Sequence, residues 1–185
     1  MIGPNAILQL LPLLDRLGGP ERREQMLAAA GIFELPDGQS MIPEGDAARL
    51  HRQLRLDEPE LAPRLSAAAG VATANYIMAH RIPKPAQAVL KGLLPALAAR
   101  ALSKAIARHA WTFAGSGAFA VVDPWHFEIV DNPLIRGERS EVCLCDWHAA
   151  VFERLYRVLV SRTARCREIQ CGALGDGVCR FEVTR

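Results

Sequence analysis

The spacing of apolar residues changes once along this chain, near residue 115. Before that point the spacing is helical, and after it apolar and polar residues alternate, as they do in half-buried strands. The runs "AFAVV" and "HFEIV" predict an antiparallel hairpin joined through Asp123-Pro124-Trp125, and "ARCREIQC" with "VCRFEVT" predicts a second around Gly175-Asp176-Gly177. Between them, "DWHAAVFERLYRVLV" is helical. This order predicts an α+β fold, with N-terminal helices packed on a small antiparallel sheet made of two hairpins with an intervening helix.

The helical part of the sequence divides at its glycines and prolines. Gly18-Gly19-Pro20 breaks the first segment in two, and Pro83 and Pro85 end the long Ala-rich one. The predicted helical segments are residues 4–31 with that break, Asp46–Leu54, Glu58–His80 and residues 86–110, in which Pro95 marks a kink or a new start. Residues 32–43 are predicted to be a loop or a short strand pair. A length of 185 residues fits one domain.

Charged residues are distributed unevenly along the chain. The segment between Glu60 and Asp123 has no acidic residue and carries +7, while the other 15 basic and 20 acidic residues give −5, for a net charge of +2. Its seven cations are Arg64, Arg81, Lys84, Lys91, Arg100, Lys104 and Arg108. Such a segment attracts carboxylates, phosphates or lipid headgroups, unless an acidic face elsewhere neutralises it. Nucleic acid is not a predicted partner, because the overall charge is near neutral and no nucleic-acid-binding motif is recognisable.

The cellular compartment follows from the N-terminus and the cysteines. No basic cluster follows Met1 and no small-residue cleavage motif precedes "PERREQ", so the first residues are predicted to be mature sequence. The longest segment without a charged residue, "LSAAAGVATANYIMAH", is too short and too polar to span a bilayer. Five cysteines is an odd number, and a chain of this size needs no disulfides. We therefore expect a soluble cytoplasmic protein whose thiols are free to bind metal.

Three cysteines and one glutamate have the composition of a zinc site. Cys145 precedes the helix between the hairpins, and Glu168, Cys171 and Cys179 belong to the last hairpin, so helix packing across the sheet would bring all four together. Three thiolates and one carboxylate complete a tetrahedral shell with no open position, as structural zinc requires. Residues three apart on a regular strand point to opposite faces, so the strand must twist, bulge or end near Gln170.

Two other interpretations of the cysteines stay open at this stage. They can be core thiols without a function, because free cysteine is among the most buried residues. Iron–sulfur binding by four of the five is less favoured, since no tight CxxCxxC run is present. Cys143 and Cys166 are the spare cysteines in the zinc interpretation.

From Cys145 to Val183 the sequence resembles the 4-vinyl reductase domain family: a cysteine, a helix, then E-x-x-C-x7-C with a Gly-Asp turn and an aromatic residue after the last cysteine. Residues 80–119 are similar to the bacteriochlorophyll-biosynthesis members of that family. The resemblance implies a zinc ion on the four residues named above, a homodimer, and a ligand-binding fold also seen in vesicle-tethering subunits. It divides the chain into residues 1–60, an N-terminal helical extension integral to the domain, and residues 61–185, a 4-vinyl reductase-type ligand-binding domain with a C-terminal zinc site.

The family name implies reduction of a tetrapyrrole vinyl group, which needs an electron or hydride donor beside the substrate. The "GSG" at residues 115–117 follows a helix and is not a nucleotide-binding GxGxxG motif. We therefore favour a carrier of a Mg-porphyrin or chlorophyllide intermediate in bacteriochlorophyll biosynthesis, cytoplasmic or peripheral to the photosynthetic membrane and working with other enzymes of the pathway. A vinyl reductase and a tethering subunit without pigment are the alternatives.

A Mg-porphyrin needs an axial ligand, a flat apolar slot and cations for its carboxylates. His109 is the predicted axial ligand, because it continues the helical stripe of Leu102 and Ile106, although a histidine on such a stripe is more often a core residue. The remaining predicted pigment-binding residues are Trp111, Phe113, Arg100, Lys104, Arg108, His80 and Arg81. The basic stripe also fits a solvated helix face, and the last two also fit a helix C-terminal cap.

Overall fold

The computed structural model describes all 185 residues, and its elements follow the predicted order. The helices are α1 (Asn5–Leu8), α2 (Leu11–Ala29), α3 (Glu44–Asp57), α4 (Ala62–His80), α5 (Lys84–Gly92), α6 (Pro95–Arg108), α7 (Trp111–Ala114) and α8 (Asp146–Leu159). The strands are β1 (Ala118–Asp123), β2 (His126–Val130), β3 (Arg165–Gln170) and β4 (Val178–Thr184), and a 3-10 turn spans Gly172–Leu174. The α+β prediction is confirmed.

The helical segments begin and end close to the predicted breaks. The non-helical pair Gly18 and Gly19 interrupts α2, with Gly19 in the left-handed region at a φ of 76°. Pro95 begins α6 and does not kink a longer helix, because the chain is extended at Leu93 and Leu94. The prediction that one helix starts at Glu58 is wrong by four residues. Glu58 caps the C-terminus of α3, and a turn separates it from α4.

The two hairpins form one antiparallel sheet in the order β1-β2-β4-β3. The central pairing joins β2 to β4, with Phe127 opposite Phe181 and Ile129 opposite Cys179. These four side chains are buried and lie on the face covered by α8. Residues of both hairpins therefore share one core with that helix.

Helix α8 lies between the sheet and α4. It buries Phe152 against Phe127 and Phe181, with ring centroids 4.9 and 5.3 Å apart. On its other side α8 packs along α4, and the contact is closest at Gly70, where a Cβ atom would come within 2.8 Å of the Ala150 Cβ and closer still to the Trp147 carbonyl oxygen. A glycine is required there, because any side chain would force the two helices apart.

The N-terminal helices contribute to the same hydrophobic core. Ile2, Leu14, Leu50 and Leu54 are fully buried and belong to one cluster with the sheet and α8. None of the helices combines the length and the apolar character needed to cross a lipid bilayer.

Candidate metal centre

The four predicted metal ligands converge at one end of the sheet. Cys145 immediately precedes α8, Glu168 lies on β3, Cys171 directly follows β3, and Cys179 points inward from β4. One ligand atom from each residue, three Sγ atoms and one carboxylate oxygen, lies within 4.8 Å of all the others. This group, named here the Cys/Glu cluster, could hold a metal ion.

An irregularity in β3 allows Glu168 and Cys171 to face the same point. The pairing of β3 with β4 shifts register between Glu168 and Gln170, so that Glu168 pairs with Phe181 and Gln170 with Arg180. A regular strand would direct side chains three residues apart to opposite faces. The register shift therefore supplies the bulge that the sequence argument required.

The loop between β3 and β4 is closed by Asp176. Its Oδ2 accepts a hydrogen bond of 2.8 Å from the Cys171 amide, and the amide of Leu174 donates to the Cys171 carbonyl at 2.9 Å. Gly175 and Gly177 on either side have φ angles of 94° and 74°, which residues with a side chain rarely adopt. The Gly-Asp-Gly turn thus holds the Cys171 backbone in place beside Cys179.

The carboxylate of Glu168 has one oxygen bound and one without a partner. Oε2 accepts a hydrogen bond of 2.9 Å from the Cys145 amide, while Oε1 is buried and has no hydrogen-bond partner. Burial raises the pKa of Glu168 to about 7. A buried carboxylate oxygen without a partner is unfavourable unless a cation or proton satisfies it. Oε1 therefore fits a metal ion bound by the cluster.

The cluster thiols contact one another and a buried amide. Cys145 Sγ lies 3.5 Å from Cys179 Sγ, and Nδ2 of Asn132 is within hydrogen-bond distance of both, at 3.3 and 3.7 Å. Burial raises the pKa of Cys145, while hydrogen bonds from the thiols of Cys145 and Cys179 lower the pKa of Cys171. Without a metal, only one thiolate is thus stabilised. A dication removes this limit, and N–H donors to sulfur stabilise the thiolates it binds.

The two spare cysteines lie outside the cluster, and no disulfide is present. Cys143 is half-buried, with its Sγ 3.8 Å from the Glu168 carbonyl oxygen. Cys166 is half-buried on β3 beside Glu153, whose carboxylate accepts a hydrogen bond of 2.9 Å from the Cys166 backbone amide. Sequence reasoning thus separates the four ligands from the two spares in the arrangement that the structure shows.

The predicted pigment-binding residues do not form one buried slot. Only Phe113 packs inside, against Phe119 and Phe152 at 5.1 and 5.7 Å. The others are exposed: His80, Arg81, Arg100, Lys104, Arg108, His109 and Trp111. The expectation that His109 continues the buried stripe of α6 is wrong, because the helix ends at Arg108.

The ring of His109 is nevertheless held in place. Its Nδ1 lies 2.9 Å from the carbonyl oxygen of Ala105 one turn earlier. This bond requires the proton on Nδ1, so Nε2 keeps its lone pair and faces solvent, as a histidine that binds metal commonly does.

Three buried polar residues were missed by sequence reasoning. Asn132 contacts the cluster from the loop after β2, and His51 and His148 are both buried near the Trp147 ring. Burial lowers the pKa of His51 to about 3 and that of His148 to about 4, so both rings are neutral. No motif marks any of the three, since each is a lone polar residue that only the fold brings to its partners.

Comparison with known proteins adds the family. A family model for the 4-vinyl reductase domain matches residues 125–185, which contain the whole Cys/Glu cluster. The bacteriochlorophyll synthase 23 kDa chain of Cereibacter sphaeroides is 51% identical over 184 residues, which are 98% of this chain and 89% of that protein. The chain belongs to the same family. The 23 kDa chain of Rhodobacter capsulatus is 44% identical over 182 residues, 97% of this chain and 85% of that protein. The family predicted from the sequence is confirmed.

The fold of this family member is shared with solved H-NOX domains. An Fe(II) unliganded H-NOX protein mutant from K. algicida superposes with a TM-score of 0.62 at 12% identity, over 99% of this chain and 96% of that one. An H-NOX protein from S. oneidensis in the Fe(II)NO ligation state also gives 0.62, at 10% identity, over 100% and 98%. At such identities the likeness concerns the fold alone. The likeness to vesicle-tethering subunits stays a prediction.

Proposed function

We propose that the protein binds a Mg-porphyrin or chlorophyllide intermediate of bacteriochlorophyll biosynthesis and carries it between enzymes of the pathway, with one structural zinc ion in the Cys/Glu cluster. The observation that supports the pigment most strongly is the conjunction of two comparisons. The full-length relatives are named for bacteriochlorophyll synthesis, and solved proteins with the same fold have titles that refer to heme and to porphyrin distortion. Both comparisons point to a tetrapyrrole.

The composition of the Cys/Glu cluster supports zinc. Three sulfur ligands and one oxygen ligand complete a tetrahedral shell, and a site with four protein ligands has no open position for a substrate. When bound, zinc would supply charge neutralisation and a crosslink. Cys171 and Cys179 would then be fixed to Cys145 at the start of α8, and Asn132 would donate to the sulfur atoms.

The end of α6 is the surface we assign to the pigment. The Nε2 atom of His109 would be the axial ligand, since its ring is already oriented by the Ala105 carbonyl. Trp111, 56% exposed, offers an aromatic face two residues away, and Arg108 offers a cation for a carboxylate. Arg100 and Lys104 on the same helix, His80 and Arg81 at the end of α4, and Phe113 beneath remain part of the proposed pigment surface.

The proposed location is the cytoplasm, at the surface of the photosynthetic membrane, where the protein acts as a homodimer and meets other enzymes of the pathway. A vinyl reductase and a tethering subunit remain the rival functions. Each rival differs from a carrier in what happens to added pigment.

A titration separates these functions. Purified protein of known metal content is titrated with Mg-protoporphyrin, with and without NADPH, while absorption and the vinyl content of the pigment are measured. A carrier saturates at a fixed stoichiometry and leaves the vinyl group intact. Loss of the vinyl group that depends on NADPH would show a reductase, and the absence of saturable binding would favour a tether. The variant His109→Ala is expected to weaken binding or shift the bound absorption band, with His126→Ala, on the sheet, as control.

A further inference from the structure

The corner between α5 and α6 exposes apolar side chains that nothing in the fold covers. Val89, Leu93, Leu94 and Leu97 are 62%, 36%, 73% and 48% exposed. All four lie within nine residues, on the last turn of α5, the extended link and the first turn of α6. The chain therefore gathers them into one convex point, named here the apolar tip.

Cations lie behind the apolar tip on both helices. Lys84 and Lys91 are exposed on α5, and Arg100 is exposed on α6, on the same face as Leu97. At about 1.5 Å per residue, Arg100 lies about 9 Å along the chain from Leu94. Apolar residues at the front and cations set back match the order of layers at a bilayer surface, with acyl chains inside and phosphates outside.

These cations are free of acidic partners. None of the seven basic residues between Glu60 and Asp123 lies within 4 Å of a carboxylate, whereas nine of the other fifteen form ion pairs. All seven are exposed. The acidic face that could neutralise the segment therefore does not contact it, and its charge stays available to an anionic surface.

From this arrangement we propose that the apolar tip and the cations Lys84, Lys91 and Arg100 dock the protein on an anionic lipid bilayer. A second copy of the chain is a poor occupant, because it would bring the same unpaired cations to the contact. A convex point at a helix–helix corner also offers no groove for a peptide. The inference does not depend on pigment binding, since three of its four apolar residues and both lysines lie outside α6.

Vesicle flotation tests this assignment. The full chain is floated with vesicles of phosphatidylglycerol and phosphatidylcholine in equal parts, and with vesicles of phosphatidylcholine alone, at low and high salt. We expect binding to the anionic vesicles that weakens at high salt. The double variant Lys84→Gln/Lys91→Gln should bind roughly 25-fold more weakly, because each cation near the surface contributes about fivefold. The variant Leu93→Ser/Leu94→Ser should also lose binding.

A matched control comes from α3. Arg52 and the 65% exposed Leu56 are one turn apart on that helix, and Arg52 forms no ion pair. The variant Arg52→Gln/Leu56→Ser should bind vesicles like the wild type. The inference is overturned if wild type does not float with anionic vesicles, if the tip variants float as well as the control, or if they change the oligomeric state. The Mg-protoporphyrin titration of the tip variants should stay as in wild type, so failure of the pigment proposal is read separately.

Discussion

Replacing Gly70 with alanine should destabilise the protein and loosen its metal site together. The new Cβ would lie 2.8 Å from the Cβ of Ala150, whereas ordinary carbon contacts are about 3.5–4.0 Å, so α4 and α8 must part by roughly 0.7–1.2 Å. A gap of this size removes a quarter to a half of the dispersion energy of neighbouring contacts. Overpacking costs about 1–3 kcal/mol, and here the rigid Trp147 carbonyl is also in the way.

The better helix propensity of alanine offsets about 1 kcal/mol of that cost. We therefore expect Gly70→Ala to lower the free energy of unfolding by about 2 kcal/mol, a fall in Tm of about 4–8 °C for a chain of this size. Because Trp147 lies two residues after Cys145, a shift of α8 should also weaken zinc binding in a chelator competition. Gly92→Ala is the control, since its Cβ would meet nothing within 4 Å and the variant should be neutral or slightly stabilised. A Gly70→Ala variant as stable as wild type would refute the close contact.

Three further predictions concern buried groups. The pKa of His51 is about 3 in the folded protein and about 6.5 unfolded, so its contribution is complete above pH 6.5 and is lost as pH falls, by about 2 kcal/mol at pH 5; His51→Gln should flatten the stability curve between pH 6.5 and 5, and a curve as steep as wild type would assign the slope elsewhere, His148 included. Asn132→Leu removes the amide donor to two sulfur atoms and should weaken zinc affinity about 10–100-fold in competition with a chelator, an unchanged affinity being the contrary result. Cys171→Ser should lower both zinc content and Tm, while Cys166→Ser, outside the cluster, should retain its zinc; equal metal content in the two variants would reject the ligand assignment.

The metal ligands could be predicted from the sequence because their residue types and spacing are unusual for a core. The position of the bulge near Gln170 also followed, since without it Glu168 and Cys171 could not meet. Local patterns predicted the two hairpins, but not the pairing of β2 with β4 that makes them one sheet, because that contact joins residues about 50 positions apart.

The polar surroundings of the site were beyond sequence reasoning. Asn132 is a single asparagine in a loop, and only the fold brings its amide to Cys145 and Cys179. The error at His109 has a related cause. No glycine or proline marks the end of α6, so a helical period extended one residue too far placed an exposed ring on a buried stripe.

The most direct test of the metal centre is X-ray absorption at the zinc edge of the purified protein, after its metal content has been measured. We expect about one zinc per chain, with three sulfur atoms at about 2.3 Å and one oxygen at about 2.0–2.2 Å, and no further ligand. A protein that is folded and stable without metal, or a shell of two or four sulfur atoms, would contradict the Cys145, Glu168, Cys171 and Cys179 site.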